Sequence, residues 1–184
     1  MSYPASLAFL YSLQQHGIKL GLDSITALLA SLGNPQDRYR AIHIGGTNGK
    51  GSAAAMAASV LQAAGYRVGL YTSPHLVDFR ERIRINGDSI SEDSVARLTE
   101  HLRHAMGETA SPTFFEFTTA LAFQHFAESE SEVAVIEVGM GGRFDATNTL
   151  LPMVSVITNV ALDHQDYLGK TIGAIAFEKA GIIS

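Results

Sequence analysis

Gly45-Gly46-Thr47-Asn48-Gly49-Lys50-Gly51-Ser52 is preceded by the apolar run Ala41 to Ile44 and followed by a helix of small residues from about Gly51 to Ala64. The order is buried strand, glycine-rich turn, helix. Glycines let consecutive backbone N–H groups converge on phosphate oxygens, and a helix N-terminus adds the positive end of its dipole. Lys50 would neutralise the outer phosphates, and the Ser52 hydroxyl could bond a phosphate or its metal. The spacing departs from the general phosphate-loop pattern. Three residues rather than four separate Gly45 from Gly49, and Gly51 stands between the lysine and Ser52. A plain connection would also use glycines, but strand, loop and helix in this order is the setting a phosphate loop requires.

Outward from this stretch, strands and helices alternate. Arg67 to Tyr71 reads as a second buried strand, Val133 to Val138 as a third and Val154 to Ile157 as a fourth. Arg82 to Ile85, Asn86-Gly87 and Ser89-Ile90 read as a hairpin, because Asn-Gly accepts the positive φ angles of a tight turn. Upstream, residues 3 to 16 place Leu7, Leu10 and Leu13 on one helix face, and a second helix is expected to be capped by Asp23 and ended by Gly33 and Pro35. Ser91 is expected to cap a helix with the stripe Val95, Leu98, Leu102 and Met106. The segment 111–128 carries Phe115, Thr119, Ala122 and Phe126 at helical spacing, and Ile172 to Lys179 reads as a last helix. The pattern predicts an α/β fold: a doubly wound, mainly parallel sheet covered on both faces. The chain stops at Ile183-Ser184 on what reads as the start of a further strand, as if the fold were cut short.

Composition narrows the chemistry. The 184 residues are 46% hydrophobic and 17% charged, enough to bury a sizeable core. With no cysteine, disulfides, thiolate catalysis and zinc ribbons are excluded. There is no apolar run of membrane-spanning length and no basic-then-apolar leader, which points to a cytoplasmic protein without a membrane partner. Net charge is −5 with no basic cluster, so nucleic acid is not an expected partner and an anionic substrate needs local donors. Of the four lysines, Lys50 and Lys179 fall in the most unusual stretches. A nucleotide site also needs a carboxylate at a neighbouring strand end, where it can orient Mg²⁺. Glu137 ends the third strand, and Gly139, Gly141 and Gly142 follow at once, so the backbone there turns tightly or approaches something closely.

Several runs then become specific. Gly46 to Ser52; Thr72-Ser73-Pro74-His75-Leu76 with Phe79-Arg80-Glu81-Arg82-Ile83; Thr113 to Glu116; Glu137 to Asn148; Leu162-Asp163-His164; and Glu178-Lys179-Ala180-Gly181-Ile182 occur in order. Together they resemble the signatures of the folylpolyglutamate synthases and dihydrofolate synthases, a family of the Mur ligase superfamily. The extra Gly51 belongs to that family's own loop. Gly45, Met140 and Asn159 depart from its more usual alanine, leucine and serine.

The resemblance implies a fold, a reaction and a set of roles. Residues 1–184 would be the N-terminal part of the ATP-binding domain, with a C-terminal glutamate-ligase domain outside this chain, and the chain alone would not form conjugates. ATP would phosphorylate a carboxylate of dihydropteroate or a folate, and L-glutamate would attack the acyl phosphate. The full-length protein would act as a monomer. Thr47, Asn48, Gly49, Lys50, Gly51 and Ser52 would bind ATP. Ser73, Glu137 and His164 would hold Mg²⁺, although an imidazole by its chemistry alone reads as a general base or a core histidine. Lys179, otherwise a solvated charge at a helix end, would be carboxylated and hold a second metal ion. Lys50, His164 and Lys179 would be the catalytic set. Thr113, Phe115, Glu116, Phe144, Asp145 and Ala146 would form the pterin pocket, with Leu20 and Gly21 at its margin; Phe115 reads equally well as core packing. His75 reads as structural. A cell-wall Mur-type ligase, or a phosphate-loop binding module without ligase activity, are the alternatives. A guanine-reading Asn-Lys-x-Asp segment is lacking.

Overall fold

A computed structural model describes residues 1–17, 21–107 and 111–183. Leu20 lies outside the described residues. In chain order the elements are α1 (Tyr3–Ser12), α2 (Asp23–Ser31), β1 (Arg40–Gly45), α3 (Lys50–Ala63), β2 (Val68–Tyr71), β3 (Ile83–Ile85), β4 (Asp88–Ser89) and α4 (Glu92–Met106). They are followed by α5 (Phe114–Glu128), β5 (Val133–Glu137), β6 (Val154–Ile157), α6 (Gln165–Leu168) and α7 (Ile172–Ala180). The sheet has six strands in the order β4-β3-β2-β5-β1-β6. β2, β5, β1 and β6 are parallel, and β3 and β4 form the antiparallel margin. The register pairs Ile44 with Glu137, Gly45 with Ile157 and Tyr71 with Ile136, so four strands end along one edge. Loops that carry the functional motifs therefore leave the sheet side by side, as parallel sheets with ligands at their carboxyl ends require.

The two faces are packed differently. On one, α1, α2, α4 and α5 build the larger core around Leu10, Ile25, Leu98, Phe117 and Phe123. On the other, Ala54 and Ala58 of α3 lie against Ile44, Leu70 and Val135. The small side chains of α3 let its N-terminus come close to β1 and β5. β5 is buried along its whole length, the continuous apolar run expected of a strand covered on both faces. α5 is nearly as enclosed, with Phe117 through Gln124 all buried, so its helical stripe understates how central it is. Among the described residues no helix is long and apolar enough to cross a membrane.

Most local signals have the expected outcome. Asn86 and Gly87 take φ of 49° and 88°, the double positive φ that suits a tight hairpin turn. Ser91 caps α4, its Oγ accepting from Ser94 N at 3.1 Å. Several strand ends shift by a residue, Arg82 falling in a 3₁₀ turn before β3 and Ile90 beyond β4, and two helix boundaries differ from expectation. The first helix tightens into a 3₁₀ turn at Leu13–His16. Asp23 is the first residue of α2 rather than its cap: Leu22 occupies the cap position, and Asp23 there favours the helix through the dipole instead.

Candidate active site

The glycine loop leaves β1 and enters α3 through Gly49, whose φ of +79° is favoured by glycine. No side chain caps α3, so its first amides remain available to an anion. Lys50 lies back over the loop, Nζ donating to Thr47 O at 3.2 Å. The loop is strapped to the segment after β6. Thr47 N donates to Asn159 O at 3.0 Å, Asn48 N to Asn159 Oδ1 at 2.9 Å, and Ala161 N to Thr47 Oγ1 at 3.0 Å. Thr158 Oγ1 donates to Asn48 O at 2.8 Å. Gly46 makes this approach possible: at φ +139° a Cβ there would stand 1.9 Å from Thr158 Oγ1. Asn159, a departure from the more usual serine, is thus a structural member of the loop.

The acidic corner lies beside it. Glu137 is 5% exposed, and Oε2 accepts from Ser73 N at 3.0 Å, joining residues 64 positions apart. A Cβ on Gly51 would sit 3.5 Å from both Glu137 oxygens, ordinary van der Waals contact, so the start of α3 lies directly against the carboxylate. Burial raises the Glu137 pKa, while the Ser73 amide and the charges of Lys50 and Arg82 oppose the rise. Among the described residues no three His, Asp or Glu side chains converge as a ready metal cage. Mg²⁺ is commonly held by one or two protein oxygens together with substrate phosphates, and the Ser73 hydroxyl and the Glu137 carboxylate, the latter beside Gly51 of the phosphate loop, are donors of that kind.

Lys179 reaches this edge from the other side, and His164 lies on the segment that follows β6. His164 adopts φ +48° at the start of α6, is half exposed, and lies 3.5 Å from Asp163 Oδ2. The structure joins Ser73 to Glu137 and leaves His164 paired with its neighbour. Lys179 is 2% exposed, and its Nζ donates to Gly46 O at 2.9 Å from behind the loop. Burial first, and then the charge of Lys50, lower its pKa, with Asp163 opposing.

A cavity of about 440 Å³ opens beside Ser73. Phe115 and Phe144 line it, with Thr113, Glu116, Asp145, Ala146 and Gly21 also in its wall. Phe115 packs on Gly139, where a Cβ would fall 2.5 Å from the ring, while Phe144 is 45% exposed. Thr113 and Glu116 also form a capping box for α5, Thr113 N donating to Glu116 Oε2 at 2.7 Å and Glu116 N to Thr113 Oγ1 at 3.2 Å. Asp145 is likewise engaged. Its Oδ2 accepts from Met140 N at 2.9 Å and its Oδ1 from Thr147 N at 3.0 Å and from Thr147 Oγ1. Burial raises its pKa, and these donors counter the rise. A bound ring would share a carboxylate that already holds the glycine loop after β5. His43, not anticipated, extends this chain: Nε2 meets Thr147 Oγ1 at 2.7 Å, and burial lowers its pKa to about 4.

Comparison with known proteins agrees with this edge. Residues 44–184 match the Mur ligase middle domain. The dihydrofolate synthase/folylpolyglutamate synthase of Bacillus subtilis is 43% identical over 188 residues, covering 99% of this chain and 44% of the relative. A folylpolyglutamate synthase solved as an AMPPCP–folate complex superposes with TM-score 0.93 at 46% identity, over 100% of this chain and 46% of that one. Escherichia coli FolC, solved with DHPP and ADP, gives TM-score 0.93 at 40% identity, over 99% of this chain and 44% of that one. The chain spans less than half the length of these relatives. With the phosphate loop, the acidic corner and the cavity on one sheet edge, the chain belongs to the Mur ligase family and, within it, to the folylpolyglutamate and dihydrofolate synthases.

Proposed function

We propose that this chain supplies the nucleotide and acceptor sites of a cytoplasmic, monomeric, ATP-dependent ligase that adds L-glutamate to dihydropteroate or to a folate. The observation that carries the reading is adjacency: the cavity opens at Ser73, and Ser73 is bonded to Glu137, which faces the phosphate loop across Gly51. A carboxylate held in the cavity then lies beside a triphosphate on the loop. One carboxylate oxygen attacks the γ-phosphorus, the bond to the β-phosphate oxygen breaks, and ADP leaves; the glutamate amine then displaces phosphate from the acyl group. Lys50 and the amides of α3 hold the phosphates, and Phe115 and Phe144 enclose the ring system. Mg²⁺ would be held by Ser73 and Glu137, with His164 as a further ligand, and would offset the repulsion between the two anions.

Lys179 would take a second role. Its lowered pKa favours the neutral amine, which can take up CO₂ to give a carbamate and a proton, converting a buried cation into an anion able to hold a second ion. Bicarbonate labelled with ¹³C should give a carbamate resonance that Lys179→Met abolishes. The glutamate site and the closure that excludes water would lie outside this chain, which spans less than half the length of its relatives. The chain alone is therefore expected to bind AMPPCP and pteroate without turnover. Titration calorimetry tests this directly: binding of neither ligand by the folded chain refutes the reading, as does conjugation of labelled glutamate by the chain alone at the full-length rate.

A further inference from the structure

One charged group in the cavity takes no part in the chemistry described so far. Arg82 lines the cavity and is only 7% exposed, yet no carboxylate among the described residues forms an ion pair with it. An arginine withdrawn from water without a counter-charge is costly, and its planar fork matches a carboxylate. The side chain is also held in place. Nε donates to His75 Nδ1 at 2.7 Å, the Phe114 ring lies 5.3 Å from Cζ, and Arg82 O accepts from Thr72 N at 3.0 Å. The last bond seats the residue against the turn that carries Ser73. Arg82 therefore stands where the cavity meets the acidic corner, within electrostatic reach of Glu137. Lys50 faces the phosphate loop, so the two anions that must meet here have separate cations.

We propose that the Arg82 guanidinium anchors the carboxylate of the acceptor that is to be activated, and that His75 is the positioning residue that sets its orientation. This rests on the acceptor reading of the cavity and names the group that selects a carboxylate there. Because an arginine Nε can only donate, His75 Nδ1 is the acceptor and its proton sits on Nε2, 3.5 Å from Tyr11 OH. The imidazole occupies Nε and leaves the terminal nitrogens of the fork for the ligand.

Pteroate and its carboxamide share every ring and differ in the charge that Arg82 would read. The wild-type chain should bind pteroate about tenfold or more tightly than the carboxamide, the scale of a charge-assisted hydrogen bond. Arg82→Gln should bring that ratio close to one without weakening the carboxamide, with melting temperature and AMPPCP affinity serving as checks on the fold. Arg82→Lys, which keeps the charge and loses the fork, should give an intermediate ratio, and it stands in for Arg82→Gln if that variant does not fold. His75→Ala should lower the ratio, and His75→Asn, whose side-chain oxygen can accept from Nε, should restore part of it. A wild-type ratio near one, or a ratio unchanged in Arg82→Gln, overturns the anchor while leaving pteroate binding, and so the acceptor site, intact. Failure of both ligands to bind the folded wild-type chain overturns the acceptor reading and the anchor together.

Discussion

Gly46→Ala tests the strap between the phosphate loop and the segment after β6. The added Cβ would lie 1.9 Å from Thr158 Oγ1 and 3.1 Å from Thr158 N, at a φ of +139° that side chains rarely adopt. Two costs follow. The backbone strain is about 1–3 kcal/mol. The Thr158 hydroxyl must also swing away and give up its 2.8 Å bond to Asn48 O, about 1 kcal/mol more. The expected loss is about 2–4 kcal/mol in urea unfolding, capped where opening the loop alone is cheaper than straining it. Thr158→Ala removes the hydroxyl in advance. In that background Gly46→Ala should cost about 1 kcal/mol less, so the pair should fall short of additivity by more than the roughly 0.5 kcal/mol typical of independent sites. Additive losses would refute the claim that close approach to Thr158 is why position 46 is glycine. AMPPCP titration of the same four proteins should weaken in step with the coupling, because the strap sets the loop geometry.

Lys50→Ala should lower AMPPCP affinity at least tenfold with little change in melting temperature, since among the described residues its ammonium bonds only to Thr47 O of its own loop. Glu137→Gln should raise the melting temperature at neutral pH while abolishing any dependence of nucleotide affinity on Mg²⁺. The sign follows from burial: the folded pKa is raised above the unfolded value, so the group favours the fold at low pH, and that contribution is lost as pH rises through the folded pKa. The advantage of glutamine should accordingly shrink on acidification below the unfolded glutamate pKa, and a pH-independent difference would contradict it. Thr147→Val should cost about 1–3 kcal/mol in denaturant unfolding, because it leaves His43 Nε2 and Asp145 Oδ1 short of a partner in a buried setting.

What can be read in the sequence is what is local. The strand before Gly45, the helix after Gly49 and the Asn86-Gly87 turn depend on periodicity and on backbone freedom, both visible in a short window. The site is legible as a set of motifs but not as an arrangement. Nothing in the spacing says that Ser73 N reaches Glu137, or that Lys179 enters behind Gly46 to meet its carbonyl. Thr113 and Glu116 do carry a local signal beyond the pterin motif, a threonine and a glutamate three apart at a helix start, which is the mark of a capping box. The roles of Arg82, His43 and Asn159 escape a sequence reading for another reason. Arg82 and His43 matter because they are buried, and exposed Asn159 because the distant glycine loop bonds to it; residue type alone points such side chains to the surface or to a turn.

The strap also has a consequence for how the protein is made. Its bonds join Thr47 to Ala161 and Asn48 to Asn159, residues 114 and 111 positions apart. On a ribosome adding about 5–20 residues per second, roughly 5–20 s pass between synthesis of the glycine loop and arrival of the segment that fixes it. During that interval β1 and α3 can form while the loop between them has no set shape. Capacity to hold a triphosphate would then appear only when β6 has paired with β1, so that occupancy by nucleotide marks a chain whose parallel sheet is already assembled.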